Sequence, residues 1–490
     1  MMAGALQFIL YFIIPIVFLI NIFFALTVVF IERKNPSSTI AWLMALFLLP
    51  VIGFVLYLFV GQSIYRGRMF GGKKEYDEAL TYQIESQKKD LFRYEIPKPH
   101  AFPDPYRRMM IMLMESNMAL VTTDNRVKIF TDGNDKFDAL LEAIRGAQDH
   151  IHMEYYILKD DRIGNEVFAA LTERANAGVT VRFLADGFGA AGPKKSFYTP
   201  YLEAGGKLAF FFPSLLNIRH PRLNYRNHRK IAVIDGTVGF IGGFNIGDDN
   251  LSRDPRWAPW RDTAVVVEGH AVRSMQIRFI LDWNYAAKEE RLEFSPRYFP
   301  DIGTRPDTWL PMQVVSGGPD TYWSPIKEAY LKLITLATES VYIQTPYFIP
   351  DDSIMDALRM AALSGIDVRI MIPSKPDHPF VYWAGYSYIK QLLDAGVRAY
   401  TYDNGFIHAK TIVVDEAAAS VGSANWDVRS FNLNFETNVI MYDHAVAKEL
   451  KEIFDQDLLV CTELTRERFA ALPMTIRIKK SISRLFSPLL

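Results

Sequence analysis

The stretch NHRKIAVIDGTVGFIGGFNIG (227–247) decides how this chain is read, because it returns as IHAKTIVVDEAAASVGSANWD (407–427). Both obey one pattern, His-x-Lys-x4-Asp-x6-Gly-(Gly or Ser)-x-Asn. The first copy supplies His228, Lys230, Asp235, Gly242, Gly243 and Asn245; the second supplies His408, Lys410, Asp415, Gly422, Ser423 and Asn425. The runs IAVID and TIVVD are apolar strands, and side chains two apart on a strand share a face, so each His stands beside its Lys. A titratable imidazole next to a fixed ammonium suits a phosphate. The ring can act as nucleophile or as acid and base, while the ammonium neutralises phosphoryl oxygens and holds the ring's pKa down. Asp235 and Asp415 enter the candidate catalytic set through the motif, although their place at strand ends before turns suits structural support. The small residues at Gly242-Gly243 and Gly422-Ser423 let backbone amides approach an anion. Asn245 and Asn425 can donate a side-chain N–H to it.

Outward from these motifs the chain keeps repeating. HIHMEYYIL (150–158) is answered by SVYIQTPYFI (340–349), and AGVTVRFL (177–184) by SGIDVRIM (364–371). Each half alternates apolar strands with amphipathic helices and Gly turns, which predicts two homologous α/β domains, each a mixed sheet flanked by helices, over 107–305 and 306–480. The Met-rich run RRMMIMLMESNM (107–118) has the spacing of a core helix, and 481–490 is left as a C-terminal tail.

Ahead of the domains, Phe8 to Ile31 carries no charge, and at 1.5 Å per residue it makes a helix of about 36 Å, enough to cross a bilayer. After the polar loop Glu32 to Thr39, a second uncharged run extends from Ile40 to Val60, with Pro50 and Gly53 as kink points. Residues 1–65 thus read as a transmembrane hairpin with spans at about 8–31 and 40–60, and 66–106 as a linker with a surface segment. The loop holds Arg33 and Lys34, while the far end holds Arg66, Arg68, Lys73 and Lys74, which places the catalytic domains in the cytoplasm.

The 490 residues are 50% hydrophobic and 22% charged, excluding a disordered chain. With 54 Lys+Arg against 55 Asp+Glu, the net charge of -1 argues against a nucleic-acid binder. One cysteine, Cys461, rules out an internal disulfide and Cys-based zinc clusters. The histidines outside the motifs (His100, His150, His152, His220, His270, His378 and His444) form no HExxH or Cys/His pattern, so neither metal nor cofactor is expected. Arg219, Arg222, Arg226 and Arg229 with Trp257 and Trp260 read either as an interfacial rim for anionic lipid or as solvated charge and core aromatics. The tail TIRIKKSISRLFSPLL has the composition of a segment lying on an anionic leaflet, or of a frayed terminus.

These residues resemble the phospholipase D superfamily, whose twin HKD motifs they match at 228–245 and 408–425. The resemblance extends over nearly the whole chain to the bacterial cardiolipin synthases, through the hairpin with ERKNPSSTIAW, MEYYI, WRDT after the first motif, and SRLFSPLL. It implies a phosphatidyltransferase of the bacterial inner membrane that makes cardiolipin and glycerol from two phosphatidylglycerol molecules through a phosphatidyl-histidine, without metal. By motif position His228 is the nucleophile and His408 the acid and base, with Lys230, Lys410, Asn245 and Asn425 on the phosphate. It also implies that an acidic residue downstream of each His orients that imidazole, a place matched by Asp262 and Glu436. Gly243 departs from the family's usual Ser and removes a hydroxyl donor. A membrane-bound phospholipase D making phosphatidic acid is the alternative, since only the acceptor differs; a non-catalytic scaffold is disfavoured by two intact His-Lys pairs. Oligomeric state is not legible.

Overall fold

The computed structural model describes residues 11, 14–30, 36–57, 85, 87, 104–212, 225–303 and 308–485. The N-terminal helices and the rest of this chain fall in two compact units.

The first unit contains helices Ile14–Phe30, Pro36–Leu48 and Pro50–Leu56. Pro50 has no N–H to offer the carbonyl of Leu46, and Asn21 replaces it, donating Nδ2 to Leu46 O at 3.0 Å and to Pro50 O at 2.9 Å. Ala25, Val28, Leu46 and Tyr57 bury one another around this break. The expected spans 8–31 and 40–60 are therefore met only in part. Among the described residues no helix is long and apolar enough to cross a membrane: the first is described over 17 residues, Ile14–Phe30, and the second run is divided at Leu49-Pro50. The flanking cations Arg33, Lys34, Arg66, Arg68, Lys73 and Lys74 lie outside the described residues.

In the second unit two sheets are built to the same plan. Strands β1 (Arg126–Phe130), β2 (His150–Tyr155), β3 (Thr180–Asp186), β4 (Lys207–Phe211), β6 (Lys230–Ile234), β7 (Val238–Gly242) and β9 (Ala264–Glu268) form the first, in the order β1-β9-β7-β6-β2-β3-β4; β5 (Arg226–Asn227) and β8 (Trp260–Arg261) stand apart from it. The second is laid out as β10 (Met312–Gly317), β19 (Asn434–Met441), β17 (Ala418–Gly422), β16 (Thr411–Val414), β11 (Ser340–Gln344), β13 (Asp367–Pro373), β14 (Arg398–Tyr402) and β20 (Cys461–Leu464). Strand for strand the order repeats, with β20 added at one edge, while β12 (Phe348–Ile349) and β18 (Trp426–Asp427) pair with each other. In both, three neighbouring strands are parallel (β2, β3, β4 and β11, β13, β14) and the motif strands pair antiparallel. The mixed α/β fold expected from the sequence is the one observed.

Strands buried on both faces read as continuous apolar runs, and β6, β16 and β17 are buried along their whole length. One core lies under the helices of the first sheet, including Phe137, Leu140, Val167 and Phe183, and another under those of the second. A third joins the sheets: Ile231, Val233, Ile241 and Val265 pack with Val314, Val413, Val421 and Val439. This shared core brings the two motifs together.

Two helices cross the expected domain boundaries. Helix Asp104–Asn117 starts ahead of residue 107, and its apolar face, Tyr106, Met109, Met110, Leu113 and Met114, is buried with the second sheet's core rather than the first. Gln313 of β10 fastens it, donating Nε2 to Met110 O at 3.1 Å and to Ala119 O at 2.6 Å. At the other end, helix Met474–Leu485 runs through the expected break between 480 and 481.

Candidate active site

Each motif histidine enters the site on a two-residue strand that pairs with the opposite half. Strand β5 runs parallel to β19, and the N–H of His228 donates to Phe435 O at 2.9 Å. Strand β15 (Phe406–Ile407) runs parallel to β8, and the N–H of His408 donates to Arg261 O at 2.6 Å. The residues following Phe435 and Arg261 are the two acids. Nδ1 of His228 therefore lies 2.9 Å from both carboxylate oxygens of Glu436, and Nδ1 of His408 lies 2.6 Å from Oδ2 of Asp262. The pairing is crossed: each half orients the other half's imidazole, whereas sequence order suggested that each acid serves the His preceding it.

Both acids are fully buried, while the His228 and His408 side chains keep 10% and 9% of their surface exposed. With Nδ1–H directed at a carboxylate, the tautomer leaves the Nε2 lone pair available, and among the described residues neither Nε2 has a hydrogen-bond partner. Burial, reinforced by the ammoniums of Lys230 and Lys410 against the opposing pull of Glu436, lowers the His228 pKa to about 4. His408 is lowered by burial and Lys410, against Asp262. Lys230 Nζ donates to His228 O at 2.7 Å, and Lys410 Nζ lies 2.9 Å from His408 Nδ1 and also donates to His408 O. Burial pushes Lys230 down to about 7 and Lys410 down to about 8, and the charge of Lys410 adds to the effect on Lys230. Burial works against ionised Asp262, but Lys410 and His408 hold its carboxyl below the ordinary range. Two imidazoles and two ammoniums from opposite halves thus converge on one site.

The other motif residues bond away from the imidazoles. Asp235 and Asp415 sit beyond the motif strands, at positive φ, away from the imidazoles. The carboxylate of Asp235 accepts from the N–H groups of Gln148, Asp149 and His150 at 2.8, 2.8 and 2.9 Å. That of Asp415 accepts from Thr338, Glu339 and Ser340 N–H at 2.7, 2.8 and 2.7 Å. They hold the starts of β2 and β11. The Gly243 and Ser423 amides both donate to strand carbonyls, Thr263 O and Thr437 O, at 2.9 and 3.0 Å. A Cβ on Gly243 would stand 2.0 Å from Oδ1 of Asp262, so the departure from Ser makes room for the carboxylate that orients His408. In the other half Ser423 Oγ accepts from Thr437 N–H at 3.0 Å, beside Glu436. Asn245 Oδ1 accepts from Ile157 N–H at 3.2 Å, and the amide of Asn425 bonds to the carboxylate of Asp427.

Two buried arginines support the acids. Arg229 is 1% exposed, so it is no rim residue; it pairs with Asp282 at 2.5 Å and donates to Thr437 Oγ1, Glu436 O and Gly317 O at 2.9, 3.2 and 3.0 Å. Arg261 pairs with Asp457 at 2.9 Å and donates to Thr263 Oγ1 at 2.9 Å and to Asp262 O. Each thereby fixes an acid-Thr pair, Glu436-Thr437 or Asp262-Thr263. Their adjacency to His228 and Asp262 in sequence was the available signal. At the surface of the site the two histidines differ: Tyr156 lies 4.8 Å from the His228 ring with Lys230 5.3 Å over it, whereas Trp260 lies 5.0 Å from the His408 ring and Trp257 packs on Phe406. Arg219 and Arg222 lie outside the described residues.

A duplicated α/β fold whose two His-x-Lys motifs meet across a shared core defines a PLD-like protein. The model of the family described as cardiolipin synthase, PLD-like domain, matches residues 140–280 and 330–458, and that described as phospholipase D-nuclease N-terminal matches 19–62. The major cardiolipin synthase of Bacillus subtilis (strain 168) is 48% identical over 473 residues, 96% of this chain and 98% of that one. A cardiolipin synthase of Staphylococcus aureus (strain Mu50) is 45% identical over 473 residues, covering 96% and 95%. Among solved structures, phosphatidylserine synthase from Haemophilus influenzae Rd KW20 shares the fold, with a TM-score of 0.56 and 14% identity over 74% of this chain and 93% of that one. The chain belongs to the cardiolipin synthase family of PLD-like enzymes.

Proposed function

We propose that the enzyme condenses two phosphatidylglycerol molecules into cardiolipin and glycerol through a phosphatidyl-histidine. The observation that carries this reading is the pair of buried imidazoles, each with Nδ1 on a carboxylate and Nε2 open, beside two ammoniums. Nε2 of His228 attacks phosphorus, the bond to the glycerol oxygen breaks, and His408 gives that oxygen its proton. His408 then takes the proton of the second lipid's glycerol hydroxyl, whose oxygen attacks phosphorus and releases His228. Burial and Lys410 lower the His408 pKa, and the negative charge of a phosphodiester beside the ammoniums raises the basicity the acid step needs. No metal enters this scheme, and turnover of the purified enzyme is expected to persist in excess chelator.

The alternative product is phosphatidic acid, formed when water takes the acceptor's place. Water near 55 M is outcompeted only if the second headgroup is held at the intermediate. The apolar N-terminal helices favour this by placing the site where lipid is concentrated. Labelled phosphatidylglycerol in bilayers should yield mainly cardiolipin and glycerol; dominant phosphatidic acid would replace the synthase reading with a phospholipase D. The same helices support a bacterial membrane location, and the excess of Arg66, Arg68, Lys73 and Lys74 over Arg33 and Lys34 supports a catalytic part in the cytoplasm. Cysteines placed at 38 and 487 should then label from opposite faces of intact cells.

A further inference from the structure

The C-terminal helix Met474–Leu485 presents an unusual face to solvent. Its inner side, against helix Pro379–Leu393, holds half-buried Ile476 and buried Lys480 and Ser483. Lys480 Nζ lies 4.3 Å from the ring centroid of Phe469, Arg484 lies 5.8 Å from that of Tyr388, and Ser387 Oγ donates to Lys480 O at 3.3 Å. The outer side carries Met474, Ile478 and Ile482, which are 70, 50 and 45% exposed. Spaced four residues apart, they form one apolar ridge along the helix. Arg477 and Lys479 border it, each about 100° round the helix from its middle. The segment MTIRIKKSISRL contains no acidic residue.

Three large apolar side chains left in water between Lys479 and Arg477, whose guanidinium also donates to Leu472 O at 3.1 Å and to Ala470 O, match a helix lying in the headgroup layer of an anionic leaflet. A second copy of this chain is a poor occupant, since a two-fold contact would set these cations against one another without an acidic counterpart. We propose that the Met474-Ile478-Ile482 ridge is a bilayer-docking surface, distinct from the N-terminal helices, that seats the C-terminal half of the enzyme on an anionic leaflet. The proposal rests on the reading that the substrates are membrane phospholipids.

The test uses the full chain with Ile478→Cys carrying an environment-sensitive fluorophore. Burial, with help from Asp457 and Asp403, pushes the Cys461 thiol up to about 12, so the introduced thiol is labelled selectively. Reconstituted in vesicles, the probe should shift to the blue and be quenched by lipid-borne quencher when anionic lipid is present, and lose both responses in Arg477→Glu/Lys479→Glu. In unlabelled protein, Met474→Asp/Ile478→Asp/Ile482→Asp should raise the apparent KM for vesicle lipid by about 10-fold and leave turnover of monomeric short-chain phosphatidylglycerol unchanged. An emission spectrum indifferent to anionic lipid, or a shift that follows protein concentration in detergent, would overturn the docking surface. The fluorescence needs no turnover, so a failure to make cardiolipin would count against the proposed reaction and not against docking.

Discussion

The two halves are alike in the chemistry they bring to the site and unlike in how they support it. Each contributes a His-Lys pair and lends its acid across the interface, yet His228 leans on the longer Glu436 and His408 on the shorter Asp262. A longer carboxylate reaches from a position where Ser423 fits beneath the strand; a shorter one requires its own backbone closer, and only Gly243 leaves the space. The surroundings diverge as well, with Tyr156 beside His228 and Trp260 beside His408. The comparison teaches that duplication preserved the reacting groups while each half diverged to fit the partner it orients.

The strongest way to break this comparison is to remove the imidazoles. His228→Ala and His408→Ala should each lower kcat by about 1,000-fold or more, because nucleophile and acid act as one unit. The halves then separate in quench experiments: His408→Ala should accumulate labelled phosphatidyl-enzyme with an activated donor whose leaving group needs no proton, and His228→Ala should form none. Label trapped on His228→Ala would exchange the roles of the two histidines.

Crossed pairing is sharpened by the acids. Glu436→Gln and Asp262→Asn should each cost about 100-fold, with the first slowing formation of the intermediate and the second slowing leaving-group protonation. With His228 as the proposed nucleophile, protonation removes it only as pH falls towards about 4, so kcat/KM should hold from neutral pH to about 5 and drop below. Glu436 raises the His228 pKa, so Glu436→Gln should move that limb to lower pH. The limb moving with Asp262→Asn instead would return each acid to its own half.

A smaller effect separates Gly243 from Ser423. Gly243→Ser forces a Cβ into the Asp262 carboxylate and should lower kcat by about 10-fold, whereas Ser423→Gly removes one hydroxyl beside Thr437 and should cost about 2-fold. Equal losses at both positions would erase the asymmetry. Least of all in kinetics, Asp235→Ala and Asp415→Ala should leave kcat nearly unchanged while each lowers stability by about 1–3 kcal/mol, having orphaned backbone N–H groups. Denaturant midpoints measured beside kcat check this, and a collapse of kcat in a folded Asp235→Ala protein would put the aspartate back in the chemistry.

Much of the site was legible before folding because it rests on local spacing. Alternation along a strand places Lys230 beside His228 and Lys410 beside His408 wherever those strands lie, and two copies of so long a pattern signal a duplicated α/β fold. The positions of Asp235 and Asp415 at strand ends likewise carried their structural role, since a turn there is a local event. What local spacing cannot carry is which partner an element meets. Helix Asp104–Asn117 precedes the first sheet in sequence but buries its Met face with the second, because an apolar stripe specifies burial and not the surface that buries it. Arg229 looks like a solvated charge until Asp282 and Thr437 close on it from distant segments. By itself, then, the sequence determined the residue types, the duplication and the face each side chain occupies. Only the tertiary structure, through the shared core of Ile231, Val265, Val413 and Val439 that sets one sheet against the other, decided that Glu436 orients His228 and Asp262 orients His408: a carboxylate acts over about 3 Å, and that distance is set by packing between segments remote in sequence.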